Sequence, residues 1–260
     1  MKIETAGSSF DLGTKISTSF DATMTNASDT TETFVSLIIP ALNEEKAIGA
    51  VLDALPRGLL GEVIVCDNGS QDATASIAAS KGARVVTEPK RGYGAACLKA
   101  LSNLSPRSTI VAFIDADHSD DPQQLGLLLE PILSGRIDFV VGSRVRLAVP
   151  GALNFQQRFG NRLATILMRI FFNAKWSDLG PFRAIRAKSL RQLQMCDDGM
   201  GWTVEMQIKA VRQKLRCGEV DVSYSQRIGR SKISGTLSGT VRAGSKILWL
   251  IFRYGLTPKG

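Results

Sequence analysis

A chain of 260 residues, 44% of them hydrophobic, is long enough for one large domain or two small ones with a full core. Its net charge of +8 is unevenly placed: residues 134–260 hold 22 Lys and Arg against 7 Asp and Glu, net +15, while the residues before them are net acidic. A basic half implies an anionic partner, which can be nucleic acid, a phosphate-bearing substrate or an anionic membrane surface. A single histidine, His118, excludes any multi-histidine zinc site, and the four cysteines lack C-x-x-C spacing, so they read as reduced core residues of a cytosolic protein.

Residues 1–33 are rich in Ser, Thr, Asp and Gly, with little periodicity, and read as a flexible tail. From Phe34 the pattern changes. Val35 to Ile39 is a buried-strand run closed by Pro40, and Glu44 to Leu55 carries a helical stripe through Ala47, Ile48, Val51, Leu52 and Leu55. Val63 to Cys66 is a second strand that ends in Asp67-Asn68-Gly69-Ser70. A small-residue helix follows over Gln71 to Ser80, then a strand over Ala83 to Val86 and a helix over Gly92 to Leu104. Ile110 to Ile114 is the fourth strand, Asp121 to Leu133 the helix after it, and Phe139 to Val141 a fifth strand ending in Gly142-Ser143-Arg144. Strands alternating with helices define βαβ units: an α/β fold, Rossmann-like, with a mostly parallel sheet covered by helices on both faces.

The second half breaks the alternation. Asn154 to Phe172 is a helix with arginines interspersed, Ser177 to Arg183 a turn-rich loop, and Trp202 to Lys214 an amphipathic helix. A strand over Gly218 to Tyr224 leads to a basic loop, Gln226 to Gly235, and Thr240 to Tyr254 is a basic amphipathic helix that closes a basic helical C-terminal portion. No run reaches the roughly 20 apolar residues that a membrane-spanning helix needs, and the N-terminus lacks the apolar core of a signal peptide.

The fourth strand stops at Asp115-Ala116-Asp117. Side chains two apart in an extended segment point the same way, so two carboxylates face one side and repel unless a cation or hydrogen-bond network lies between them. Hard oxygen ligands with open positions suit Mg²⁺ or Mn²⁺ shared with a substrate's phosphates. The plainer alternative is a strand end followed by a helix start, since Asp120 and Asp121-Pro122 are good helix-opening residues. Polar clusters at four predicted strand ends favour a ligand site, because such sheets bind ligands beyond the carboxyl ends of their strands. Gly92-Tyr93-Gly94 opening a helix imitates a dinucleotide fingerprint, but it follows the third strand and Cys97 replaces the last glycine. With Lys90 and Arg91 ahead of it, Gly92 instead fits a loop that approaches phosphate or base.

The segments IIPALNEE (38–45), CDNGSQDAT (66–74), KRGYGAA (90–96), DADHSDDP (115–122), VGSR (141–144), DLGPFRAI (178–185) and RIGRSKISGT (227–236) together resemble family-2 glycosyltransferases of the GT-A fold. The chain looks most like the dolichyl- or polyprenyl-phosphate mannosyl- and glucosyltransferases, over roughly Val35 to Tyr254. The resemblance implies that Pro40, Leu42 and Glu44 hold the donor's base and ribose and that Asp67 hydrogen-bonds the base, with Asn68 in place of a second acid. It implies that Asp115, Ala116 and Asp117 form the metal and diphosphate site, with Asp117 the direct ligand, and that Arg144 lies near the phosphates. Arg227, Ser231 and Lys232 match a basic loop that closes on a phosphate. Ser119 stands where mannosyltransferases of this branch often carry a metal-binding glutamine.

The expected activity is inverting, metal-dependent transfer of a hexose from a UDP- or GDP-sugar to a polyprenyl phosphate. Residues 34–145 form the donor half, and residues 146–260 the acceptor half with the C-terminal amphipathic helix. The expected place is cytoplasmic, held peripherally at the anionic inner face of the membrane. A hydroxyl acceptor, soluble or lipid, would need a base, for which Glu205 and Asp178 are the candidates, either of which could be structural. A non-catalytic nucleotide-sugar binder is a further alternative. No nucleic-acid motif is present, and aromatics are not interleaved with the basic runs.

Overall fold

The computed structural model describes residues 32–229 and 237–257, excepting the side chains of residues 237, 238 and 240. Ser231, Lys232 and all but the last two residues of the expected tail lie outside these. Seven strands form one sheet: β1 (Val35–Ala41), β2 (Glu62–Asp67), β3 (Arg84–Thr87), β4 (Ile110–Phe113), β5 (Phe139–Ser143), β6 (Arg183–Arg186) and β7 (Cys217–Asp221). Their order is β3-β2-β1-β4-β6-β5-β7. Every pairing is parallel except those of β6, which runs antiparallel to both β4 and β5. The helices are α1 (Ile48–Asp53), α2 (Thr74–Ser80), α3 (Tyr93–Leu101), α4 (Leu125–Leu133), α5 (Phe155–Phe172), α6 (Ala187–Leu193), α7 (Trp202–Arg212) and α8 (Leu237–Leu256).

Period-two alternation divides the apolar residues between the two faces of the sheet. Ile38, Ile64, Val111, Phe113 and Ile185 enter one core with Trp202 of α7 and Leu250 of α8. Leu37, Ile39, Val65, Ala112 and Ile114 enter the other with Ile48 of α1 and Leu128 of α4. Strands buried on both faces read as continuous apolar runs, which is why β1, β2 and β4 stand out in the sequence.

Two features differ from the sequence expectation. The first helix begins at Ile48 rather than Glu44, because the chain turns through Asn43 in the left-handed region (φ 53). The Glu44 N–H is also spent on Thr74 Oγ1, 2.8 Å away. The loop at Ser177–Arg183 leads straight into β6 and α6, which the sequence pattern did not mark: a four-residue strand flanked by arginines has no alternation to read. Asn154 caps α5 through a reciprocal capping box with Gln157.

Ile38 is fully buried in the strand that both halves of the sheet share. Ile38→Ala is expected to cost about 2–5 kcal/mol, read as a lower urea midpoint at unchanged slope.

Candidate active site

The chain reverses direction across the sheet at β1, which has β2 on one side and β4 on the other. The crevice beyond the carboxyl ends at such a point is where ligands bind in open α/β sheets. Here it is a cleft of about 270 Å³ whose walls include Pro40, Leu42, Glu44, Asn68, Gly92, Asp115, Ala116, Asp117 and Arg227, all of them expected from sequence. Tyr93 and Met200 line it too, with Ala41 and Ala96. Asp67 stands just behind the wall, its carboxylate accepting the Ser70 N–H and closing the loop that Asn68 begins.

The loops are tied to each other rather than to solvent. Asn43 accepts from Gln71 N–H and takes the Ser70 hydroxyl on its own N–H. Asn68 donates to the carbonyls of Glu88 and Lys90 and accepts from Gly92 N–H. This sets the positions of Asn68 and Gly92 on one wall.

Asp115 and Asp117 point into the cleft from the end of β4. His118 adopts a left-handed backbone (φ 60) that few non-glycine residues take. That turn brings Ser119 back, so its N–H and hydroxyl both donate to Asp117 Oδ1. The other oxygen, Oδ2, faces Arg227 Nη1 at 3.2 Å, while Arg227 Nη2 donates to Glu44 Oε1 at 2.8 Å. Asp115 accepts from the Tyr93 hydroxyl at 3.0 Å. Burial and the neighbouring Asp117 push its carboxyl up to about 7. Such a pair is short of positive charge, and an arginine supplies some of it. Two hard carboxylates with a displaceable counter-charge fit a divalent cation. No cluster of three or more His, Cys, Asp or Glu among the described residues makes a complete cage, so diphosphate oxygens and water would fill the rest of the shell.

Arg144 lies deeper. Its guanidinium binds both oxygens of Asp178 at 2.7 Å and stacks over the Tyr224 ring at 4.9 Å. Against the cost of burial, Arg144 holds the Asp178 carboxyl below its ordinary value. A carboxylate kept ionised in a two-pronged pair is a weak base, and Asp178 is spent on positioning Arg144. Beside them Asp120 is buried, with neither carboxylate oxygen hydrogen-bonded.

Glu205 is not brought to the cleft. It is fully buried on α7, and its carboxylate accepts from Cys196 N–H, Asp197 N–H, Lys209 and the Tyr254 hydroxyl. Against burial, the Cys196 thiol, Lys209 and the Asp197 N–H hold its carboxyl low. Its task is to fix residues 196–201, which present Met200 to the cleft. The glycines of the imitation fingerprint serve the same segment. A Cβ at Gly92 would meet the Asp198 carbonyl and one at Gly94 the Asp197 carbonyl. The N–H groups of Gly94 and Ala95 are already taken by Gly199 and Asp198, so these two amides of the helix start are not open to a phosphate. Lys90, expected to face phosphate, pairs with Asp198. Trp202 packs against Phe113 inside the core. Tyr93 and Met200 were not singled out from sequence: Tyr93 sits inside a recognised motif, but its hydroxyl gives no periodic signal, and Met200 acts through a loop.

The family model for glycosyl transferase family 2 matches residues 36–194. An uncharacterised glycosyltransferase of Mycobacterium tuberculosis is 37% identical over 212 residues, covering 80% of this chain and 94% of the relative. The chain therefore belongs to glycosyl transferase family 2, and it is a hexosyltransferase of the GT-A fold. A dolichyl-phosphate hexose transferase of Haloferax volcanii is 30% identical over 212 residues, covering 79% of this chain and 89% of that one. Among solved structures, glucosyl-3-phosphoglycerate synthase of M. tuberculosis in complex with phosphoglyceric acid superimposes with a TM-score of 0.70 at 25% identity, over 88% of this chain and 82% of the other.

Glu205→Gln is expected to lower thermal stability yet keep turnover within about tenfold, against the roughly hundredfold or greater loss that removing a general base brings. Asp178→Asn breaks a buried pair, at a cost of about 3–5 kcal/mol near neutral pH. Because the folded carboxyl is depressed, its contribution is present above the ordinary value of 3.8 and lost as pH falls below it. The deficit of Asp178→Asn in urea unfolding should therefore narrow as pH drops through that range.

Proposed function

We propose that the protein transfers a hexose, with inversion, from a UDP- or GDP-hexose to a polyprenyl-phosphate lipid, in a reaction that requires Mg²⁺ or Mn²⁺. The observation that carries this reading is the paired carboxylates of Asp115 and Asp117 opening, with Pro40, Leu42 and Glu44, on one cleft. Pro40, Leu42 and Glu44 hold base and ribose, with Asp67 and Asn68 shaping the base end. Asp115 and Asp117 hold the cation, which when bound neutralises charge on the leaving diphosphate. Arg227, with Ser231 and Lys232 beyond it, binds phosphate once released from Asp117 and Glu44. Arg144, held by Asp178, adds fixed positive potential.

An acceptor phosphate oxygen attacks the anomeric carbon on the face opposite the diphosphate. The new carbon–oxygen bond forms as the bond to the diphosphate breaks, and its electron pair leaves with the nucleotide. No proton has to be removed, which suits a site whose candidate bases are both committed elsewhere. The likeness to the archaeal dolichyl-phosphate enzyme supports the lipid acceptor. The structural likeness to a phosphoglycerate-binding synthase supports a second reading, transfer to a hydroxyl of a soluble phosphorylated acid; that reading needs a base that neither Glu205 nor Asp178 is free to be. Residues 34–145 serve the donor, residues 146–260 the acceptor, and the protein works peripherally at the cytoplasmic face of the membrane.

UDP, GDP and their hexose conjugates should be screened by thermal shift with and without Mn²⁺. One nucleotide is expected to stabilise the protein in a metal-dependent way. Asp117→Asn should abolish that dependence and lower kcat/KM roughly a hundredfold or more, the scale of the several kcal/mol of charge stabilisation at stake. Metal-independent stabilisation by every nucleotide would remove the metal from the reading.

A further inference from the structure

Helices α5 and α8 pack on each other, with Phe171 edge-on to Phe252 at 5.4 Å. Both keep apolar side chains on the outside as well. On α5, Phe155, Phe159, Ile166 and Ile170 are spaced four, seven and four apart, so they form one stripe, with Phe155 77% and Ile170 69% exposed. On α8, Leu250 and Ile251 are buried in the core while Trp249, Phe252 and Leu256 face outward, Leu256 77% exposed. A helix apolar on both sides needs a second cover.

The charged residues of these two helices have one sign, although Lys246 of α8 pairs with Asp197 beneath it. Neither α5 nor α8 contains an Asp or Glu. Arg158, Arg162 and Arg169 are exposed beside the α5 stripe, and Arg242 and Arg253 are exposed on α8. Trp249 sits between two cations, Lys246 at 5.0 Å and Arg253 at 4.9 Å from its ring. An indole flanked by cations, beside an apolar stripe rimmed with arginine, matches the boundary between lipid tails and anionic headgroups. A second copy of the chain would bring arginine against arginine. No helix among the described residues is long and apolar enough to cross a membrane, so contact through this face would be a surface contact.

We infer that the outer face of α5 and α8 is a docking surface for an anionic lipid bilayer, with the Phe155–Ile170 stripe and Trp249 entering the headgroup boundary and the flanking arginines binding acidic headgroups. This rests on the peripheral membrane location proposed above and names the surface that makes the contact; it is tested without turnover, so it and the acceptor reading can fail separately. The full chain is floated with vesicles of phosphatidylcholine alone and of phosphatidylcholine with phosphatidylglycerol. Binding is expected to the anionic vesicles and to weaken with salt. The paired substitution Phe159→Glu with Ile170→Glu should weaken it roughly tenfold or more. Arg158→Glu with Arg162→Glu should weaken binding to the anionic vesicles selectively. Both pairs are on the exposed surface, so melting temperature and metal-dependent nucleotide shifts should be unchanged in each. Absence of vesicle binding, or binding that survives both pairs, overturns the inference. So does a wild-type dimer that the apolar pair converts to monomer with no effect on vesicles, which would assign the face to self-association.

Discussion

Two carboxylates at the tip of one buried strand share a cleft and repel each other. The surroundings of Asp115 and Asp117 answer that repulsion. Tyr93 donates to Asp115, the left-handed turn at His118 brings two donors of Ser119 onto one oxygen of Asp117, and Arg227 meets the other. Turning a histidine into the left-handed region is a local cost that persists where surrounding contacts over-determine it, and here it orients a carboxylate. Arg227 also bonds Glu44, so the residue that shields Asp117 reaches across to the wall assigned to the ribose. Arg227 thus ties Asp117 to Glu44 across the cleft, and a divalent cation held by Asp117 would have to share that oxygen with the guanidinium.

The opposite wall is held as firmly by contacts that reach far from the chemistry. Glu205 gathers the N–H groups of Cys196 and Asp197. Asp197 in turn accepts from Gly199 and Gly201 and pairs with Lys246 of α8. Tyr254 of α8 donates to the same Glu205. The segment that presents Met200 to the cleft is thus pinned from beneath by α7, from the side by α8, and from the front by Lys90. A buried, charged network of this kind fixes position at the expense of reactivity: every donor that steadies Glu205 also lowers its basicity. A glutamate on an amphipathic helix looks like a base in sequence and is a brace in the fold.

The parts of the architecture legible in sequence were those with strong periodicity. β1, β2 and β4 are continuous apolar runs because both faces of the sheet are covered, and their polar ends mark the crevice because strand direction is shared. β6 was not legible: four residues, Arg183 to Arg186, carry a fully buried arginine whose guanidinium is satisfied by the carbonyls of Leu179, Gly180 and Thr203. Hydropathy cannot mark a strand that buries a cation on backbone carbonyls. Within the site, residues adjacent in sequence to a strand end were found, while Tyr93 and Met200 depend on contacts across the fold. Gly92 and Gly94 were legible as positions of close approach, but what approaches is the chain's own 197–199 backbone rather than a phosphate.

Net charge likewise divides only when the fold is known. In the basic half, Arg144 is spent on Asp178, Arg183 on backbone carbonyls, and Arg186 and Arg216 on Asp138. Each of these cations is held by a partner within the fold. The arginines of α5 have no acidic residue on their own helix, and they stand beside exposed phenylalanine and isoleucine. A cationic surface without apolar neighbours would attract any polyanion in solution. One interleaved with exposed aromatic side chains on two mutually packed helices selects for a partner that is anionic at its surface and apolar a few ångströms beneath. The excess positive charge visible in composition therefore resolves into two populations, one held by partners within the fold and one that faces outward beside apolar side chains.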